Sequence, residues 1–287
     1  MFYLVANILL NTLLAAIFKV FPRYRIDAFQ AIVVNYVTCV ITGSIFLGRF
    51  PLGVSSVSQG WSPWALLMGL GFISIFNLQA YCTKVDGITT STIANKLSLV
   101  IPVLFSVYLY SEHLGYGKIL GIVLAFPAVY LSTRVQEDGK KQELLWPVLL
   151  FVGSGLLDTV VKFVEQRYLN NPEIQQVYTI HVFSVAAMAG VTLAAILTIA
   201  GKIKLSWRNV VAGICVGIPN YFSIYFFIRM LNSHLLQSSA AIPVNNIGIL
   251  AAASLTAIVF FREKATIMRV VGLVLSVIAI LLIAFTR

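Results

Sequence analysis

The chain has 287 residues, of which 59% are hydrophobic and 10% charged, with a net charge of +10. An ordinary soluble domain is about 25% charged, and apolar runs of about 18 residues or more recur here along the whole length, which is the signature of membrane spans and excludes a sizeable soluble domain. Lys and Arg sit in short loops between these runs, not on one face interleaved with aromatics, so they read as topology signals at an anionic membrane surface and no nucleic-acid partner is expected.

In chain order the sequence predicts ten helical spans, at Phe2–Val20, Ala28–Leu47, Pro63–Cys82, Thr89–Tyr110, Gly115–Ser132, Leu144–Val164, Val177–Ala200, Val210–Leu231, Leu235–Phe261 and Ile267–Phe285. The opening Met1-Phe2-Tyr3 turns apolar at once, without a basic region or cleavage site, so the first run reads as a span and not a signal peptide. Continuous apolar runs favour helices over a barrel, whose strands would alternate. Cys39, Cys82 and Cys215 lie singly inside apolar runs, with no metal spacing and no even count, and read as small apolar side chains.

The stretch Ala94–Arg134 is written twice. Sliding it forward by 151 positions puts Asn95 on Asn246, Glu112 on Glu263 and Gly121 on Gly272. A looser match at an offset of 143 lays Asn11–Lys19 on Ser154–Lys162. The chain therefore reads as two tandem units, 1–134 and 144–287, joined by the charged linker 135–143. Five spans per unit is an odd number, so the second unit must cross the membrane upside down, as in the inverted repeats of many secondary transporters. The loops after odd-numbered spans carry thirteen cations: Lys19, Arg23, Arg25, Lys84, Arg134, Lys140, Lys141, Lys202, Lys204, Arg208, Arg262, Lys264 and Arg269. The other side carries six: Arg49, Lys118, Lys162, Arg167, Arg229 and Arg287. The positive-inside rule then puts the odd-numbered loops in the cytoplasm and both termini outside.

Two five-span units, each closing with Asn, an apolar run, a Glu at the loop (Ser111-Glu112 and Arg262-Glu263) and a Gly nine residues later, resemble the EamA-like branch of the drug/metabolite transporter superfamily. The resemblance covers nearly the whole chain. It implies a ten-helix transporter fold with a central cavity formed by spans 1 to 4 and 6 to 9, and termini commonly in the cytoplasm, opposite to the loop count. Members of the related small multidrug resistance type carry an acid in their first span; span 1 here has Asn7 and Asn11 instead, which argues against proton-coupled cation export.

A charge buried in hydrocarbon is costly and is tolerated against a cavity or a partner. Lys96 and Asp158 are the two ionisable residues deep within their spans, whereas Lys19, Lys162 and Arg229 stand near ends and can snorkel. Lys96, beside the repeat-matched Asn95, is a candidate for binding a substrate anion, against a structural, partly snorkelling alternative. Asp158 is a second candidate, against a local pair with Lys162 one turn on. A direct Lys96–Asp158 bridge is not expected, because counting from the loops separates them by about 10 Å in depth. Amides recur at Asn7, Asn11, Asn35, Asn77, Gln79, Asn220, Asn245 and Asn246; one alone reads as an interhelical hydrogen bond, but eight across five spans suggest a polar cavity, with Asn11, Asn77, Asn220 and Asn246 as further substrate-binding candidates. Pro102, Pro219 and Pro243 interrupt spans and could kink them. His181 reads as a satisfied core histidine; His113 and His234 fall in loops. Gly117-x-x-x-Gly121, Gly272-x-x-x-Ser276 and Gly213-x-x-x-Gly217 read as packing faces, with dimerisation through spans 5 and 10 as the second reading.

No phosphate-binding loop, zinc-protease motif or nucleophile elbow occurs, and the acids do not cluster for magnesium. No catalytic residue, metal or cofactor is therefore expected, and the chain is not read as an enzyme. The reading is a secondary transporter of a small polar metabolite, an amino acid or a small organic anion or zwitterion, in the cytoplasmic (inner) membrane and working by alternating access. The alternatives are a facilitative channel and a membrane-embedded enzyme or scaffold.

Overall fold

The computed structural model describes residues 1–53, 58–110, 115–133, 144–169, 171–232, 238–263 and 266–285. The linker 135–143, the residues Ser111, Glu112, His113, Arg134, His234, Lys264 and Arg287, and the side chains of Pro243 and Arg269 lie outside this description. Among the described residues every element is helical, and no strand occurs. Eight helices are long and apolar enough to cross a membrane, and two shorter apolar stretches, Tyr116–Ala128 and Val270–Ile283, lie in spans 5 and 10. The protein is a multi-pass membrane protein.

Spans 1, 2 and 10 occupy Phe2–Val20, Ala28–Leu47 and Ile267–Phe285. Span 2 has explicit stop signals. Asp27 caps it by accepting from the Gln30 N–H at 2.8 Å, and Gly48, at φ +74°, ends it in the left-handed conformation that glycine adopts cheaply. Spans 3, 6, 7 and 8 run Ser62–Val85, Leu145–Tyr168, Pro172–Ile199 and Trp207–Asn232, about one turn longer at one end than their apolar runs. The extra turns carry polar residues such as Lys84, Arg167 and Glu173, which continue a helix after it has left hydrocarbon. Span 9 is Ser238–Phe261 and span 5 is Tyr116–Thr133.

Span 4 departs from the expected single helix. It is two helices, Ile88–Leu97 and Val100–Tyr110, separated at Ser98–Leu99. The window across this break is 61% buried, against 28% to 50% for the other seven long spans, so span 4 is the most enclosed of them.

By packing, the chain forms two compact units, each drawing on both halves of the sequence. The first comprises Met1–Lys19, Leu78–Leu156 and Phe226–Arg287; the second comprises Val20–Asn77 and Leu157–Tyr225. In the first unit, the leading half of span 4 packs against spans 5, 9 and 10, and span 5 packs along span 10. A Cβ on Gly121 would fall 2.8 Å from both the Ala279 carbonyl oxygen and the Ile283 side chain and 3.0 Å from the Ile283 amide, so this glycine permits the close approach of spans 5 and 10. In the second unit, Gly213 and Gly217 do the same for span 8 on span 2, where added Cβ atoms would lie 2.6 Å from the Ala31 oxygen and 2.8 Å from the Asn35 oxygen. Trp61, Met68, Val164, Tyr178 and Val182 form a core among spans 3, 6 and 7. Large apolar side chains such as Leu66, Leu67, Ile196 and Phe260 are exposed along the helices, the distribution expected where lipid is the solvent.

Candidate functional site at an interrupted span

The break in span 4 has a local cause. Pro102 has no N–H to give the Ser98 carbonyl four residues back, and its ring crowds that oxygen. The Ser98 carbonyl instead accepts from Ile101 N at 2.9 Å, and the Ser98 hydroxyl turns back to the Asn95 oxygen at 2.5 Å. Proline alone does not suffice: Pro127 and Pro219 lie inside helices that stay continuous. What span 4 adds is the competing serine bond and the close approach of span 6. A Cβ on Gly155 would sit 2.8 Å from the Ser98 oxygen, and Asn95 donates to the Ser154 hydroxyl at 2.9 Å.

Lys96 stands in the last turn of the leading half-helix, half-buried, one turn from the break. A cation there is favoured by the negative end of its own helix. The opposite end is complemented too. Glu263, from the end of span 9, accepts the Ile88 N–H at 3.0 Å and the Lys19 ammonium at 3.1 Å through the same oxygen. Its side chain is 6% exposed, whereas that of Lys19 is 25% exposed. Gly87, at φ +93°, makes room for the carboxylate, since a Cβ there would lie 2.8 Å from Glu263 Oε1. A ten-residue helix is thus held by an acid at its N-terminus and carries Lys96 about 12 Å further along. The ends of spans 1 and 9 and the start of span 4 meet at this point, so the loops after spans 1, 3 and 9 share one side. Sequence reasoning met Lys19 and Glu263 separately, as a snorkelling cation and a repeat-matched loop acid; their 244-residue separation gave no signal of the pair.

A second polar feature of the same unit joins spans 1 and 9. Asn7 donates to Asn245 Oδ1 at 2.9 Å, and Asn11 donates to Asn7 Oδ1 at 2.8 Å and to the Asn7 carbonyl at 2.9 Å. Asn7 and Asn245 are buried. Asn246, half-buried beside this ladder, makes no hydrogen bond among the described residues and keeps its amide available.

The remaining candidates belong to the other unit. Asn220 is buried and donates to Asn35 Oδ1 at 3.1 Å, bridging spans 8 and 2, with the Cys39 thiol 3.6 Å away. Asn77 donates to its own helix at the Ile73 carbonyl, 2.7 Å away. Asp158 is exposed in the middle of span 6. Lys96, Asp158 and Lys162 all have interaction partners. His181 is a satisfied histidine, with Nδ1 2.7 Å from the Val177 carbonyl and its ring against Trp61. Among the described residues no group of three His, Cys, Asp or Glu is placed to hold a metal ion.

With this geometry in view, comparison with known proteins is direct. Residues 3–134 match the model of the EamA-like transporter family. That family is part of the drug/metabolite transporter superfamily, whose members move small solutes across membranes. The EamA-like match spans 1 through 5 and so includes the interrupted span 4. An uncharacterized protein of Haemophilus influenzae (strain ATCC 51907 / DSM 11121 / KW20 / Rd) is 26% identical over 96% of this chain and 95% of its own. A solved crystal structure that is 15% identical has a TM-score of 0.57 over 96% of each chain, which speaks to the fold alone.

Proposed function

We propose that the protein is a secondary transporter of a small polar metabolite, an amino acid or a small organic anion or zwitterion, in the cytoplasmic membrane, and not an enzyme. The observation that carries this reading is the interruption of span 4 immediately after Lys96. Transporters of several folds bind substrate near the bilayer midplane at broken helices, where backbone dipoles and a few side chains replace water. Lys96 takes the substrate's anionic group, and Asn246 and Asn11 supply neutral hydrogen bonds from the spans 1 and 9 side of the same unit.

The two halves 1–134 and 144–287 act as inverted repeats that alternate access. Two contacts support this. Asn95 of span 4 bonds to span 6, and Asn245, the neighbour of its repeat mate in span 9, bonds to span 1, which is the repeat mate of span 6. Glu263 and Lys19 anchor the leading half of span 4, so the half-helix moves about that end.

A thermal-shift screen of the purified protein against amino acids and small carboxylates tests the reading, since a ligand of the native state raises apparent stability. Hits should then show saturable, trans-stimulated uptake in proteoliposomes. Unsaturable flux without trans-stimulation would mean a channel, and no flux of any hit would remove transport as the function.

A further inference from the structure

The loop between spans 1 and 2 and the loop between spans 7 and 8, both in the second compact unit, are built against each other. Gln30 donates to the Lys204 carbonyl at 3.2 Å, Asn209 donates to Gln30 Oε1 at 2.9 Å, and the Asp27 N–H donates to Asn209 Oδ1 at 3.0 Å. Gln30 and Asn209 are buried, so the tie is a fixed part of the fold. The tied loops expose five cations, Arg23, Arg25, Lys202, Lys204 and Arg208. None of the five makes an ion pair among the described residues. The one acid between them, Asp27, already accepts the Gln30 N–H as a helix cap.

Two further features separate this corner from a generally basic surface. Arg25 is held at φ +54° by its N–H bond to the Pro22 carbonyl, with the Ile26 N–H bonded to the Phe21 carbonyl beside it. A left-handed backbone costs a residue with a Cβ about 1 kcal/mol or more, and the chain spends it on an arginine in an exposed turn. Bulky apolar side chains flank the charges: Tyr24, Leu205 and Trp207 are 59%, 72% and 75% exposed. Aromatic rings beside cations at the ends of membrane spans sit at headgroup depth.

We infer that this corner is a docking surface for the headgroup of an anionic phospholipid. The phosphodiester meets the cations, and the glycerol and upper acyl chain cover Leu205 and Trp207. A free phosphate would satisfy the charges and leave the apolar flanks in water, which is why a lipid is the better occupant. The inference is independent of what the protein transports.

The test uses detergent-purified, delipidated protein and melting temperature as the readout. Dioctanoyl phosphatidylglycerol should raise it by several degrees more than dioctanoyl phosphatidylcholine. The difference should shrink as salt is added, because exposed charges are screened. Inorganic phosphate at the same concentration should do nothing. Two variants, Arg23→Gln with Arg25→Asn and Lys202→Gln with Lys204→Gln and Arg208→Gln, should each lose half or more of the difference while keeping the melting temperature measured in phosphatidylcholine; asparagine tolerates the left-handed turn. Equal shifts with the two lipids, or the full difference in both variants, overturn the inference. A shift reproduced by phosphate alone makes the corner a plain anion site and also overturns it. The lipid and salt arms use the unaltered protein, so they decide even where a variant fails to fold.

Discussion

Spans 4 and 9 align with one another in sequence under the 151-residue offset, and they differ where function is proposed. Span 4 is broken at Ser98–Leu99, while span 9 is one helix from Ser238 to Phe261. Under the 151-residue offset, Pro102 corresponds to Ala253, and Lys96 corresponds to Ile247. Ala253 is fully buried and packs with Ala15, Ala257 and Ile88, the residue that starts span 4. Span 9 therefore meets the start of span 4 with an apolar, unbroken stretch around Ala253, and span 4, packed on it, carries the charge and the break. A repeated fold needs only one copy to be interrupted to create a polar site in an apolar bundle. Four sets of substitutions test this asymmetry.

The largest effect should come from Ala253→Pro, which writes the span 4 feature into span 9. It removes a helical hydrogen bond and crowds a fully buried site, at a cost of about 3 kcal/mol or more, so monodisperse protein should be nearly lost on gel filtration. Full yield with an unchanged melting temperature would mean that span 9 is as pliable as span 4.

Next is Lys96→Met. A lost charged hydrogen bond costs about 1.5 to 3 kcal/mol, so uptake should fall tenfold or more with near-normal membrane abundance, and Lys96→Arg should retain part of it. The matching exchange in span 9, Ile247→Met, should leave uptake within about twofold, as volume-conserving apolar changes usually do. Equal effects at the two positions would remove the functional difference between the copies.

Glu263→Ala leaves the buried Ile88 N–H without its acceptor and Lys19 without its partner, for about 2 kcal/mol. Melting should drop by several degrees, and Glu263→Gln, which can still accept from Ile88, should recover about half of that loss. If Gln is as damaging as Ala, the ion pair and not the helix cap holds span 4.

The smallest change is expected for Pro102→Ala, which restores an N–H that can reach the Ser98 carbonyl. A slightly higher melting temperature and a few-fold lower maximal uptake rate would fit a break that is used in transport. Unaltered uptake would reduce the break to a packing detail.

How far the sequence revealed this architecture follows from the range of each interaction. Span 2 was legible to the residue because Asp27 and Gly48 mark its ends locally. The sequence suggests a shared polar cavity for the eight amides and an interhelical bond only for one taken alone; Asn7–Asn245 and Asn35–Asn220 are interhelical bonds, and their pairing joins residues 238 and 185 positions apart. The break in span 4 was only half visible. Pro102 stands in the sequence, yet Pro127 and Pro219 look alike and leave their helices whole; the deciding contacts, Ser98 to Asn95 and Gly155 to Ser98, need the folded chain. The Lys19–Glu263–Ile88 junction was invisible for the same reason.

The central claim, that the break in span 4 opens to water on each side of the membrane in turn, is tested most directly by thiol labelling. With Cys39, Cys82 and Cys215 replaced, a single cysteine is placed at Leu99, in the break, and the protein is reconstituted in proteoliposomes of known orientation. A membrane-impermeant maleimide should label it when added from either side, and a transported substrate should change the two rates in opposite directions. Labelling from neither side, or from one side alone whatever substrate is present, would contradict the account.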